Sequence, residues 1–280
     1  MIDLHLHTTA SDGRLTPTEL VTLAVSAGLT TISVTDHDTT AGLDEARGAA
    51  DCAGIRLVSG IEITAVEQGR DVHVLGYFFE AGNETLRRFL ETQREDRLRR
   101  IQQIGEHLRS LGLGVDVQQI TAYARRHRGR SIGRPQVADA LVEAGHAADR
   151  RDAFDRLLGM GRPAFVPRRG PSVAGVVEIV AGAGGITSMA HPGLTGIDQE
   201  IARFASSGLT AIEARHSDHD AETESRYRRV ARDLGLAVSG GSDFHGDPSQ
   251  HIGGLGLVAL PPEDFAALEA CAAREGRPAS

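Results

Sequence analysis

Strand and helix signals alternate along this chain at short intervals, and that rhythm limits the fold more than any other feature. "IDLHLH" reads as a strand, "TPTELVTLAVSAG" as a helix with Pro17 in its first turn and Gly28 as its stop, and "TTISVTDHD" as a second strand. A helix over about 40–53, a strand "IRLVSGIEIT" and a strand "DVHVLGYFF" follow. The rhythm returns with a helix over about 172–184, the strand "GITSMAH", a helix over about 198–207, the strand "LTAIEAR", a helix over about 219–234, the strand "LAVSGGSDFH" and a closing helix "PPEDFAALEACAARE". Strands separated by helices predict an α/β fold with a mostly parallel sheet, open or closed into a barrel.

Residues 84–165 interrupt the rhythm and carry no convincing strand. "ETLRRFLETQREDRLRRIQQIGEHLRSLG" has long helical periodicity, and "RPQVADALVEAG" and "RRDAFDRLLG" read as two shorter helices. The expected organisation is therefore one α/β domain built from residues 1–83 and 166–280, with 84–165 inserted as a helical domain. A chain of 280 residues is long enough to bury the core this needs.

Metal-ligating residue types fall where these strands stop. His5 and His7, at i and i+2, project to one side of the first strand while Leu4 and Leu6 go to the other. Asp12 follows, then His37 in "TDHD", Glu62 in "GIEIT", His73 in "DVHVLGY", His191 in "AHPG", and Asp243 and His245 in "GSDFH". Read alone, "GSDFH" is a turn with an aspartate cap, "AHPG" a loop bend, and a single histidine an ordinary polar side chain. Their joint occurrence at strand ends is what points to one site, because the strand ends of a barrel converge at one mouth. Imidazole and carboxylate suit Zn²⁺, Mn²⁺ or Fe²⁺, and the absence of cysteine from the set argues against a structural zinc site. Nine ligands exceed the needs of one ion, so two or three divalent ions are expected. Closely spaced ions share a hydroxide and hold developing charge, which favours hydrolysis of a phosphate ester. His107, His127, His146 and His251 fall outside the pattern and are expected to be solvated.

Composition narrows the partners. The net charge of −8 argues against a protein coated in nucleic acid, yet all 30 basic residues are arginine and ten lie between Arg94 and Arg134, so a local basic surface is expected. No apolar run approaches the roughly 20 residues that span a bilayer, and the N-terminus lacks a signal-peptide pattern, so the expectation is a cytoplasmic protein without membrane contact. No obligate protein partner is evident. Cys52 and Cys271 read as reduced fillers of Ala-rich helices. With no tryptophan, a long base-stacking track is not expected, although Phe78, Phe79, Tyr123 or Phe165 could stack on one base.

The ordered series "HLHTTASDG", "TDHDT", "GIEIT", "VHVLGY", "AHP" and "GSDFH" closely resembles the PHP superfamily, named for its polymerase and histidinol-phosphatase members. The resemblance implies a distorted (β/α)7 barrel and a trinuclear metal site, with Mn²⁺ the expected ion. It implies that His5, His7, Glu62 and Asp243 hold one ion, Glu62, His73 and His191 a second, and Asp12, His37 and His245 a third. The insertion, with "SIGRPQVADALVEAG", is similar to that of nucleotide 3′,5′-bisphosphate phosphatases and 5′-to-3′ exoribonucleases. Nucleotides or short single-stranded RNA are thus the expected substrates. Arg134, before a helix, offers a planar fork for a phosphate that is not cleaved. In "IEARHSDHD", His216 or His219 would contact substrate phosphate, and His216, with Asp243 and His245, is expected to serve catalysis. Two alternatives are a histidinol-phosphatase-like monoesterase, which would not need the arginine-rich insertion, and a regulatory metal-binding module without turnover.

Overall fold

In the computed structural model, which describes residues 1–127, 129–246 and 254–274, seven strands form one sheet in chain order. They are β1 (Ile2–Leu6), β2 (Thr31–Val34), β3 (Arg56–Glu67), β4 (Arg70–Tyr77), β5 (Ile186–Met189), β6 (Ala211–His216) and β7 (Ala237–Gly241). The sheet curls into a nearly closed barrel. Leu6 bridges Phe244 in parallel, the His7 N–H donates to the Phe244 carbonyl at 3.0 Å, and the Asp243 N–H donates to the His5 carbonyl at 2.9 Å. This closure demands glycine at 241, where a Cβ would lie 2.4 Å from the His5 backbone nitrogen. Asp3, buried beneath the seam, accepts from the His5 and Ser242 N–H groups and ties β1 to the segment after β7.

Parallel pairing holds for β1–β2, β2–β3, β5–β6 and β6–β7, but β4 runs antiparallel to both its neighbours. Gln68 and Gly69, at φ +50° and +76°, form the two-residue turn that makes β3 and β4 a hairpin. That hairpin revises the strand-end reading for two residues. Because β3 continues to Glu67 to pair with β4, Glu62 lies mid-strand. His73 lies near the start of β4, and the reversed direction of that strand brings its start to the rim where parallel strands end.

Helices α1 (Pro17–Ser26), α2 (Leu43–Ala53), α7 (Val173–Gly182), α8 (Ile201–Ser206), α9 (Ala221–Leu234) and α10 (Pro262–Arg274) connect or flank the strands. α1 starts as its sequence suggests, with Thr16 and Glu19 forming a reciprocal capping box ahead of Pro17. Between β4 and β5 run α3 (Glu84–Ser110), α4 (Val117–Arg126), α5 (Arg134–Glu143) and α6 (Arg150–Ala153), the last continuing into one π-helical turn, Phe154–Leu158. α4 was not anticipated from the sequence. Its signals are the Asp116 side chain, which accepts from the Gln118 and Gln119 N–H groups, and the spacing of buried Val117, Thr121 and Ala124. These helices enclose an apolar cluster of their own, including Ile104, Leu108, Leu141 and Leu158. The first turns of α3 belong elsewhere: Leu86 and Leu90 pack into the barrel core.

The inserted segment is strapped across the mouth of the barrel. The Ser131 N–H donates to the Ala10 carbonyl, Gln136 Nε2 donates to the Ser11 carbonyl, and the Thr39 hydroxyl donates to the Gly129 carbonyl. No helix among the described residues is long and apolar enough to cross a membrane.

Candidate metal centre

The nine side chains singled out above converge at this mouth. His5 and His7 point from β1 into the barrel, both fully buried, and Asp12 and His37 follow from the loops after β1 and β2. Glu62 and His73 come from the hairpin, His191 from the turn after β5, and Asp243 and His245 from the segment after β7. The Glu62 carboxylate is central. Its Oε2 lies 3.3 Å from His5 Nε2, 3.2 Å from His7 Nε2 and 3.0 Å from His37 Nδ1. Its Oε1 lies 2.7 Å from His73 Nδ1 and 3.2 Å from His191 Nε2. Asp243 Oδ1 completes the first group at 3.3 Å from His5 Nε2 and 3.0 Å from His7 Nε2. Asp12 reaches His245 Nε2 at 3.4 Å and His37 Nε2 at 3.7 Å.

This geometry fits divalent cations. Among the described residues, His5 Nε2, both ring nitrogens of His7, His37 Nδ1, His73 Nδ1 and Glu62 Oε2 are buried and find no hydrogen-bond partner, although each stands beside an oppositely charged or lone-pair-bearing atom. Donor atoms about 2.1 Å from a shared ion stand roughly 3.0–3.4 Å apart, which is the spacing found around Glu62 Oε2. Two four-residue groups, His5–His7–Glu62–Asp243 and His7–Asp12–His37–His245, and a third of His37–Glu62–His73 each gather their donor atoms within 4.8 Å. His191 joins through Glu62 Oε1, 3.2 Å from its Nε2. Three non-glycine residues here, Asp38, His191 and Asp243, have φ of +50°, +26° and +55°, so the chain carries local strain of about 1–3 kcal/mol each to aim these side chains.

Charge is balanced within the cluster. Burial alone would raise the three carboxyls, but imidazoles overcome it: His37, His73 and His5 hold Glu62, His37 and His245 hold Asp12, and His5 and His245 hold Asp243, all well below the usual carboxylate range. His7 is driven down by burial and up, more strongly, by Asp243 and Glu62, reaching about 10.

Glu213, which sequence reading passed over, supports the cluster from below. It is fully buried on β6, accepts from His5 Nδ1 at 3.0 Å and accepts the His191 N–H at 2.8 Å. A carboxylate behind a ligating imidazole fixes its tautomer, leaving His5 Nε2 as a lone-pair donor. The signal was present as an acidic residue midway through an otherwise apolar strand. His216 closes β6 with Nδ1 accepting the Asp218 N–H, so its proton sits on Nε2, 3.6 Å from Asp243 Oδ2. His219 does not enter the mouth: Nδ1 donates to the Ala214 carbonyl and Nε2 accepts the Gly193 N–H. A Cβ at Gly193 would lie 2.8 Å from that Nε2, so a side chain there would push His219 aside. His107 and His127 are exposed, as expected, His146 is half-buried, and His251 lies outside the described residues.

Beside the cluster is a chamber of about 180 Å³ whose walls include Asp12, His37 and His73 together with Arg97, Arg100, Arg134 and Arg168. Arg97 Nε and Arg168 Nη2 donate to Asp38 Oδ2 at 2.6 and 2.8 Å. Arg100 Nη1 and Arg134 Nη2 donate to Asp71 Oδ2 at 3.3 and 3.2 Å. Four guanidinium groups thus share two carboxylates, leaving the chamber cationic. Arg97, Arg100 and Arg134 belong to the arginine-rich stretch expected to form a basic surface; these three instead face inward. Burial lowers Arg100 to about 10 despite Asp71, so the guanidinium still carries its charge at neutral pH.

Residues 3–148 match the PHP domain. The chain is 35% identical to a 5′-3′ exoribonuclease of Haemophilus influenzae, over 87% of this chain and 89% of that one. It is 33% identical to a 3′,5′-nucleoside bisphosphate phosphatase of Chromobacterium violaceum, over 90% of each. A structure from Bifidobacterium adolescentis, assigned by inference to the metal-dependent phosphoesterases, superposes with a TM-score of 0.86 at 33% identity over 96% of both chains. Barrel, donor set and relatives converge on one conclusion: this chain belongs to the PHP domain family and is a phosphoric ester hydrolase of its metal-dependent type.

Proposed function

We propose that the protein hydrolyses phosphate esters of nucleotides that carry a second phosphate, either free nucleoside 3′,5′-bisphosphates or the 5′-phosphorylated end of short single-stranded RNA. The observation that carries this reading is the cationic chamber opening directly on the ligand cluster, with Asp12, His37 and His73 in the walls of both. One phosphate is held at the cluster while its neighbour across the ribose sits on Arg134 and the adjoining guanidinium groups. The likeness to the H. influenzae and C. violaceum proteins supports the same substrate class.

Within this reading His5, His7, Glu62 and Asp243 hold one divalent ion, Glu62, His73 and His191 a second, and Asp12, His37 and His245 a third. The donors are nitrogen and oxygen only, which suits Mn²⁺, with Fe²⁺ and Zn²⁺ as alternatives. When bound, the ions supply an activated water and neutralise charge on the phosphoryl oxygens. The protein's own contribution is placement. Glu213 fixes His5, the strained turn at His191 presents its ring to Glu62, and His216, whose Nδ1 accepts the Asp218 N–H, points its Nε2–H toward Asp243, where it can donate a hydrogen bond to a phosphoryl oxygen of the substrate. His219 acts as a positioning residue for the turn that bears His191. We assign the activity to the cytoplasm.

Phosphate release with added Mn²⁺ tests this. Adenosine 3′,5′-bisphosphate and a 5′-phosphorylated oligoribonucleotide should outpace 3′-AMP, 5′-AMP and histidinol phosphate, with no release by His37→Ala. Activity confined to histidinol phosphate would replace this reading with a monoesterase.

A further inference from the structure

Two large apolar side chains stand in the open beside the metal centre. Met160 is 57% exposed and Leu194 59%. They come from different parts of the chain: Met160 lies in the turn between Gly159 and Gly161 at the end of the insertion, and Leu194 ends the short 3-10 turn that follows His191. Both line one open cavity of about 280 Å³, together with Phe165. His73, His191 and Arg134 are in its walls, and Asp71, His73 and Arg134 also line the arginine chamber, so the two spaces adjoin. Scattered exposed apolar residues need no explanation. An apolar pair in a single cavity that borders a phosphate-binding chamber has the composition of a ligand site.

We infer that this cavity is a nucleobase subsite in which Met160 and Leu194 hold the base against the edge of Phe165. The inference rests on the nucleotide reading above and deepens it. With one phosphate at the cluster and another in the chamber, the base of the same nucleotide is the only large apolar part left to place. Phe165 is itself fixed, with the Arg100 and Arg134 guanidinium carbons 5.7 and 5.8 Å from its ring centroid. Two polar side chains of its wall make hydrogen bonds within the protein. Arg70 Nη1 donates to the Thr195 carbonyl, and the Thr195 hydroxyl donates to the Pro192 carbonyl. The subsite therefore holds a base by contact with its faces and discriminates little among the four bases.

The chain has no tryptophan, so Met160→Trp creates a single emitter at this position. The variant is mixed with AMP or with ribose 5-phosphate in a stopped-flow fluorimeter and read before turnover, while calorimetry follows the binding of both compounds to the wild type. AMP, GMP, CMP and UMP should each quench the emission saturably, whereas ribose 5-phosphate should bind without quenching. Leu194→Trp serves as the second reporter, with the same expectation. Leu194→Ala should weaken AMP about tenfold and ribose 5-phosphate less than about twofold. An equal response to ribose 5-phosphate, or no response to AMP that binds the wild type, overturns the subsite and leaves the nucleotide reading standing. Failure of AMP to bind the wild type overturns both.

Discussion

Replacing Arg134 by alanine should separate substrates with two phosphates from those with one. Arg134 Nη2 donates to Asp71, its Nη1 donates to the Leu158 carbonyl at 3.4 Å, and the guanidinium lies over the rings of Phe154 and Phe165. The fork is thus held in place before any ligand arrives, and little entropy is lost when phosphate binds it. A hydrogen bond to a charged partner contributes about 1.5–3 kcal/mol, which is roughly 10- to 150-fold in kcat/KM at about 1.4 kcal/mol per decade. That loss should appear for adenosine 3′,5′-bisphosphate, while the faster of 3′-AMP and 5′-AMP changes by less than about threefold. Arg134→Lys should fall between, since an ammonium keeps the charge and loses the fork. Arg100 still pairs with Asp71 in these variants, so the fold should be retained, as circular dichroism would show. Steady-state phosphate release is the assay. An equal loss on all substrates, or none on the bisphosphate, would refute the role assigned to the chamber.

Glu213→Gln keeps the shape behind His5 but removes the charge, and should weaken the apparent affinity for Mn²⁺ about 10- to 100-fold, with activity recovered at high Mn²⁺. Asp71→Asn leaves Arg100 and Arg134 without their carboxylate and should destabilise the fold by roughly 3 kcal/mol in guanidinium unfolding. Despite burial, Arg100 and Arg134 hold the Asp71 carboxyl below its usual range, so its stabilisation is present above about pH 4 and is lost as pH falls through the lowered native value. The acid limb of the stability curve should therefore be flatter in Asp71→Asn than in the wild type.

Much of this site could be read from the chain because its donors follow a simple rule. His5 and His7 share a strand face, and His37, His191, Asp243 and His245 sit where strands stop, so periodicity alone brings them to one mouth. Glu62 and His73 obey the rule only through the hairpin, and the two-residue gap at Gln68 and Gly69, too short for a helix, was the available sign of it. Other groups depend on contacts between segments distant in sequence. Asp38 is 130 residues from Arg168 and 59 from Arg97, Asp71 is 63 from Arg134, and nothing local in "VPRRG" says that Arg168 turns inward. Glu213 and His219 show the same limit from opposite sides: one is a support that looked like an ordinary strand residue, the other a loop anchor that looked like a substrate contact.

The number of ions that the cluster holds separates a multi-ion centre from a single-ion site. Protein dialysed against Mn²⁺ and then desalted should carry two to three equivalents per chain by elemental analysis. Glu62→Gln, which alters the carboxylate facing both the His5–His7 and the His73–His191 sides, should retain no more than one. A single equivalent or none in the wild type, or a count unchanged by Glu62→Gln, would contradict a multi-ion centre built around that residue.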